Sequence, residues 1–469
     1  MIKKLYVRLC KYEDYYIPFV FVLPGIINAM LYYTGFAYRE NPIKSALYAT
    51  FNILFLFMTV SIIGFKAIKK EYSLPRLAIC ATFTVFNGIC LLYAIINFNF
   101  LPITVTTLIH FSVFAFPAAL WGLEFGARPN YRLLLRNLEQ VGICMIPLAV
   151  PYCVIHLIRA NPFKWFRIGA LNYHDIGTAL LPFLLASVIA FALNEFDYAD
   201  LKFLSKFKIG RHARLFVIIL FWTAISLTNH RSTIVSVFFF LALFTVFTLV
   251  KCIRRMTSFI LSVFLIILFI AVHTFAVANA DHSRFTNFIN GLMEGRLTTS
   301  RDAREVEENI LKMVQSDDRF LLSDVREEEP QSSRPSEDDE DDIDVTKIAG
   351  RIQDRGTIYR LAWLEARENP LTGLSPLGFT AKYGGLYPHN AALEALADLG
   401  FVFGGMLLLF FTACALKLLH ILVYGQRYAG LTVVFLAGLI LPIMIGGTLW
   451  SSSILCFCVC FSISVKNSS

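Results

Sequence analysis

The sequence predicts an all-α fold: a polytopic membrane helical bundle of about 12 transmembrane helices, with one large loop outside the membrane between spans nine and ten. Three observations predict it. Of 469 residues, 57% are hydrophobic and only 16% are charged, against about 25% charged in soluble domains. Long apolar runs recur from Tyr15 to Val465, of a length that suits helices rather than barrel strands. Basic residues are sorted to one side of those runs. In lipid every backbone polar group needs a partner within its own segment, which a helix supplies.

Spans are expected near 15–36, 46–66, 77–97, 102–123, 138–158, 176–194, 213–229, 232–250, 257–279, 391–416, 429–447 and 449–465. The fourth holds His110 and Pro117, and the last is short. If the N-terminal side is inside, the inside segments carry 22 Lys and Arg, from Lys3 through Lys66, Arg76, Arg136, Arg214 and Arg427 to Lys466. The short outside segments carry six: Arg39, Lys44, Arg159, Lys164, Arg167 and Arg231. This asymmetry predicts both termini in the cytoplasm and the long loop facing outward. The basic N-terminal segment is followed by an apolar run long enough to span, without a clear small-residue cleavage site, so it reads as an uncleaved first helix. Three regions follow: 1–279 with spans one to nine, 280–388 as the outward loop, and 389–469 with spans ten to twelve.

The net charge of +8 arises from basic residues at the membrane edges and does not point to a nucleic acid. Nearly all the cysteines fall in or beside apolar runs, among them Cys80, Cys153, Cys414, Cys456, Cys458 and Cys460, and none lies in 280–388. That excludes a disulfide framework outside the membrane and any CxxC metal pattern. The Cys-x-Cys-x-Cys run near the end reads as small packing residues.

Within the loop, about 317–344 is acidic, ending in Glu337–Asp344. Such a run repels itself and buries little apolar surface, so it is expected to be disordered. Apolar periodicity returns with Ile358, Leu361, Ala362 and Glu365, which predict a short amphipathic helix ended by Pro370 and Gly373. A glycine-rich loop then reaches Pro388-His389-Asn390 and the tenth span.

Chemistry at the outer face needs polar groups on outward loops or outer helix ends. Arg231 and His230 lie in a tight turn, TNHRSTIV; Arg167, His174 and Asp175 lie before span six; Arg355 and Arg360 lie in the large loop; His389 opens span ten. Several outward arginines point to an anionic ligand, because a guanidinium grips phosphate oxygens through a fixed donor fork. Asn390 is a natural N-cap, and the helix start behind it adds N–H groups and partial positive charge. Together these suit a lipid-linked diphosphate. The plainer alternatives stay open: arginines at helix ends snorkel to the interface, and a His or Asn before a helix can be a cap and nothing more. Outside the acidic run, no outer segment offers a His/Asp/Glu metal set. No P-loop, GxSxG or HExxH pattern is present. A mechanism with no metal and no cofactor is therefore expected.

The stretch from Arg355 to Gly405 resembles the O-antigen ligase and O-antigen polymerase superfamily. Its pattern is His-Asn, nine residues and Gly, here His389-Asn390 and Gly400. A second Gly usually follows three residues on; here Gly404-Gly405 comes one residue late. Upstream, Arg360, Trp363 and Asn369-Pro370-Leu371-Thr372-Gly373 resemble the family's Arg…Trp…Asn-Pro-Leu-x-Gly segment, with Arg355 a second possible partner. TNHRSTIV resembles the short outer turn ending in Arg, and LNYHDIG resembles the loop before the substrate-facing helix.

The resemblance implies a bacterial inner-membrane, GT-C-type glycosyltransferase acting at the periplasmic face. It would move a glycan from undecaprenyl diphosphate to a hydroxyl of lipid A–core, inverting the anomeric centre without a metal. Arg231 and Arg360 would stabilise the leaving diphosphate, His389 would serve as general base, and Arg355, Arg167, Asn390 and His230 would bind substrate. A polymerase uses the same donor with a growing glycan as acceptor, and the sequence does not separate it from a ligase. A transporter of lipid-linked oligosaccharide would place charges inside spans and show inverted repeats; here the spans are almost charge-free. A purely structural membrane protein would leave both motifs unexplained.

Overall fold

The computed structural model describes residues 16–21, 42–96, 108–109, 111–128, 130–158, 173–193, 211–228, 230–251, 256–278, 355–383, 387–447, 449–450 and 452–465. Every regular element among them is helical, and six helices are long and apolar enough to cross a membrane. The chain is thus an all-α protein of membrane-embedded type. The acidic stretch of 317–344 and most of the first expected span lie outside the described residues. Two compact units divide the chain: Met1–Asn287 with Leu409–Ser469, and Phe288–Leu408.

The larger unit contains α1 (Pro42–Ile68), α2 (Leu74–Ile96), a π turn (Phe111–Ala115) leading into α3 (Phe116–Ala127), α4 (Tyr131–Gly142) and α5 (Ile146–Ile158). It continues with α6 (Tyr173–Leu193), α7 (Arg211–Thr228), α8 (Arg231–Lys251) and α9 (Met256–Ala278). α6 is its axis. Leu180, Phe183, Leu184, Leu185, Val188 and Ile189 are all fully buried, as expected of a helix apolar on every side. α4, α7, α8 and α9 pack around it. Trp222 of α7 stacks on Phe269 of α9 at 4.7 Å and donates Nε1–H to the Phe269 carbonyl at 2.8 Å, so its one polar atom is satisfied.

Three expected spans come out differently. The fifth, over 138–158, is not one helix. α4 starts at Tyr131, capped by Asn130 Oδ1 accepting from Leu133 N at 3.2 Å, and a 3-10 turn (Ile143–Met145) separates it from α5. Arg132, Arg136 and Glu139 lie on α4, and charges of that density do not cross hydrocarbon. The fourth continues to Ala127, so Glu124 falls within a helix instead of beyond its end. The last is α15 (Ser453–Ser464), whose 12 residues span only about 18 Å, short of the roughly 30 Å hydrocarbon core.

α15 lies against α3 because Gly122 and Gly126 remove side chains from the contact. A Cβ at Gly122 would stand 2.4 Å from the Phe457 carbonyl oxygen, and one at Gly126 would stand 2.6 Å from that of Phe461. Small residues four apart allow this close approach in lipid. Cys458 and Cys460 are buried here, in keeping with their reading as packing residues.

Glu124 is buried and collects three donors. Lys66 Nζ reaches Oε1 at 2.8 Å; Arg76 at 2.6 Å and the Tyr72 hydroxyl at 2.8 Å reach Oε2. Burial first, and then the Glu124 carboxylate, push the Tyr72 phenol well above its ordinary range, so it stays a donor. Glu139 and Arg214 form a second buried pair at 2.7 Å. Removing one member of a buried ion pair strands the other charges, at a cost of about 3–5 kcal/mol. Glu124→Ala is therefore expected to destabilise the protein by about that amount, read as a lowered unfolding temperature in detergent. An unchanged temperature would show that water replaces the carboxylate.

The smaller unit contains α10 (Arg355–Glu368), α11 (Gly378–Lys382), α12 (Ala391–Leu399) and a π turn (Gly400–Gly404). The chain then enters α13 (Gly405–Tyr424), followed in the larger unit by α14 (Arg427–Gly446) and α15. From Ala391 to Tyr424 the helical run is 34 residues long.

Candidate functional site

In the larger unit, Thr228 ends α7 and Arg231 begins α8. His230 sits between them, buried. Its Nδ1 lies 2.6 Å from Thr233 Oγ1 and its Nε2 2.9 Å from Ser232 Oγ, while its backbone N–H donates to Thr228 Oγ1 at 3.3 Å. Both ring nitrogens are occupied by hydroxyls of the same turn. A neutral imidazole, donating at one nitrogen and accepting at the other, satisfies both. These contacts fix the turn from which half-buried Arg231 departs. The first turns of α6 close on it, since a Cβ at Gly177 would lie 3.4 Å from His230 Nδ1, Thr228 Oγ1 and Thr233 Oγ1. Gly177, the last residue of LNYHDIG, therefore meets the turn of His230. Arg167 lies outside the described residues.

In the smaller unit, α10 buries Ile358, Leu361, Ala362, Glu365 and Ala366 against α11 and α12. The i, i+3, i+4, i+7, i+8 spacing is that of one helical face, as the periodicity predicts. Arg360, Trp363 and Arg367 occupy the exposed face. The helix stops before Pro370, as expected.

The two sequence motifs then fold onto each other through backbone. The Pro370 carbonyl accepts from Phe401 N at 2.7 Å and Val402 N at 3.3 Å, and Leu374 N donates to the Ala397 carbonyl at 3.0 Å. Gly373 (φ +62°) and Gly400 (φ +72°) stand back to back in left-handed backbone. A Cβ on Gly373 would be 2.4 Å from the Asp398 carbonyl carbon, and one on Gly400 would be 2.8 Å from Gly373 N. Only glycine meets both demands. Gly404 closes the π turn over Gly400–Gly404, a wider turn that takes one more residue than an α turn.

Two buried carboxylates tie the loop between the motifs. Asp398 Oδ1 accepts from Phe379 N at 2.8 Å and Oδ2 from Leu377 N at 3.1 Å. This holds Ser375 and Leu377 at φ +79° and +64°, strained for side chains with a Cβ. Glu365 Oε1 accepts from Lys382 Nζ at 2.6 Å and from the Tyr383 hydroxyl. Burial, followed by the Glu365 hydrogen bond, pushes the Tyr383 phenol well above its ordinary range. Composition gives no sign of either clamp, because each carboxylate reaches across 17 to 21 residues.

His389 follows in left-handed backbone, φ +53°, half-buried, its ring 4.1 Å from that of Tyr387. Asn390 caps α12: its Oδ1 accepts from Ala392 N at 3.0 Å and Leu393 N at 3.1 Å. The expected cap is present and takes up the side-chain oxygen, leaving the NH₂ group for any ligand. Backbone strain at a non-glycine residue marks functional positions when the surroundings enforce it. His389 lies between buried Pro388 and the capping residue Asn390. Among the described residues, no three His, Cys, Asp or Glu side chains gather as a metal site.

The structure therefore defines an all-helical, membrane-embedded type of protein whose smaller unit presents a strained histidine at a capped helix start. No family model and no curated protein matches the sequence.

Proposed function

We propose that the chain is a membrane glycosyltransferase of the O-antigen ligase type. It takes a glycan from undecaprenyl diphosphate and joins it to an acceptor hydroxyl of lipid A–core at the periplasmic face of the bacterial inner membrane. The observation that carries this reading is the junction of the motifs: Gly373 against Gly400, with His389 held at the start of the same helix. In the reaction the acceptor oxygen attacks the anomeric carbon opposite the diphosphate. The carbon–oxygen bond to the diphosphate breaks, His389 takes the hydroxyl proton, and undecaprenyl diphosphate leaves. Arg231 stabilises the charge on the departing diphosphate.

The second cation comes from Arg355 or Arg360, the two arginines that the Arg…Trp segment offers. Arg360 lies on the exposed face of α10.

Reconstituted full-length protein, lipid-linked donor and lipid A–core acceptor test the proposal. Label is expected to pass to lipid A–core; extension of the donor's own glycan instead would identify a polymerase, and no transfer to either would sink both. Arg231→Lys keeps the charge and loses the fork, so transfer should fall by about ten- to a hundredfold, as expected for about 1.5–3 kcal/mol of charged hydrogen bonding. Near-wild-type transfer would mean that Arg231 only anchors the helix end. Arg355→Lys and Arg360→Lys, compared in the same assay, identify the second cation by the larger loss of transfer.

A further inference from the structure

We propose that the exposed face of α10 rests on the membrane surface that α13 enters, with Arg360 and Arg367 bound to the phosphates of anionic lipids. Arg360, Trp363 and Arg367 recur at i, i+3 and i+7, within about 60° of arc on the helix. The opposite face is filled by the unit's own core. Trp363 is 49% exposed although large and apolar, and it meets Phe401 edge-on at 5.3 Å. Leu371 is 66% exposed, next to Pro370, whose carbonyl holds Phe401 N and Val402 N. Val402, Phe403 and Met406 carry the exposed apolar surface onward into the long helical run.

That run says what covers the patch. A bilayer needs about 20 residues of helix, and Ala391–Tyr424 has 34. Counting about 20 back from Tyr424 puts the membrane boundary close to the π turn at Gly400–Gly404, where Trp363 touches the helix. A tryptophan at the headgroup level flanked by arginines is the pattern of an interfacial helix, apolar body in the acyl boundary and guanidinium on phosphate. This inference does not rest on the transfer reaction; a protein with no such activity would still dock this way.

The test places nitroxide labels on full-length protein at Trp363→Cys and Leu371→Cys, with Glu368→Cys on the helix flank as reference. The protein is reconstituted in phosphatidylcholine vesicles with or without phosphatidylglycerol, and the signal of the unsubstituted chain is subtracted. At 363 and 371, collisions with oxygen should exceed those with a water-soluble nickel chelate several-fold. At 368 the order should reverse. Phosphatidylglycerol should deepen both labels, and the pair Arg360→Glu and Arg367→Glu should abolish that gain. Equal nickel access at 363, 371 and 368 would overturn docking. A label shielded from both reagents would overturn it too, showing that protein covers the face. Depth indifferent to phosphatidylglycerol would overturn the role given to the arginines.

Discussion

His389→Ala is expected to lower glycosyl transfer by about 10²- to 10⁴-fold, the range that general acid–base catalysis supplies, with little change in donor affinity. Under the proposed reaction the imidazole acts on the acceptor proton, so the loss should fall on kcat. The left-handed backbone at φ +53° permits a sharper version. Strain of this kind costs about 1–3 kcal/mol, and glycine adopts the conformation without it. His389→Gly should therefore unfold no earlier than wild type while losing as much activity as the alanine variant. A protein that becomes more stable and less active separates chemistry from folding. Full transfer by either variant would remove His389 from the mechanism.

Gly400→Ala is expected to destabilise the smaller unit by about 2–5 kcal/mol, combining left-handed strain with overpacking. The new methyl group would meet Gly373 N, the Leu371 carbonyl carbon and the Pro370 carbonyl oxygen, each at 2.8 Å, all of them backbone. Backbone held by the Phe401–Pro370 hydrogen bond has no side-chain rotamer through which to yield. Gly373→Ala should act in the same direction, because its Cβ would meet the Asp398 carbonyl. Gly405→Ala is the control: it is helical, with nothing within 4 Å of the added methyl group, and it should stabilise slightly through helix propensity. Limited proteolysis of the full chain between residues 355 and 405 reads all three. Equal resistance of the Gly400 and Gly405 variants would refute the back-to-back packing.

Much of the smaller unit is legible in sequence because its signals are short-range. The face of α10 follows from the spacing of Ile358, Leu361, Ala362 and Glu365, its end from Pro370, and the start of α12 from Asn390. Each signal lies within a turn or two of what it controls. His230 shows where such reading stops. In the fold Ser232 and Thr233 stand within hydrogen-bond distance of its two ring nitrogens, a geometry that no sequence pattern signals. The direction of a side chain at a turn depends on which neighbours offer hydrogen bonds there. Glu124 likewise falls one residue beyond an expected span, and in the fold it is the buried anchor of Lys66, Tyr72 and Arg76.

By itself, then, the sequence determined the all-α, membrane-embedded class, the amphipathic register of α10 and the cap of α12. Hydropathy, periodicity and capping act through contacts a few residues apart. Tertiary structure alone decided why Gly373 and Gly400 are both glycine, where Glu124, Glu365 and Asp398 find their donors, and which side of α10 carries Arg360. Those outcomes depend on backbone and side chains brought together from 17 to 58 residues away. No local pattern encodes that proximity, because it exists only once the helices have packed.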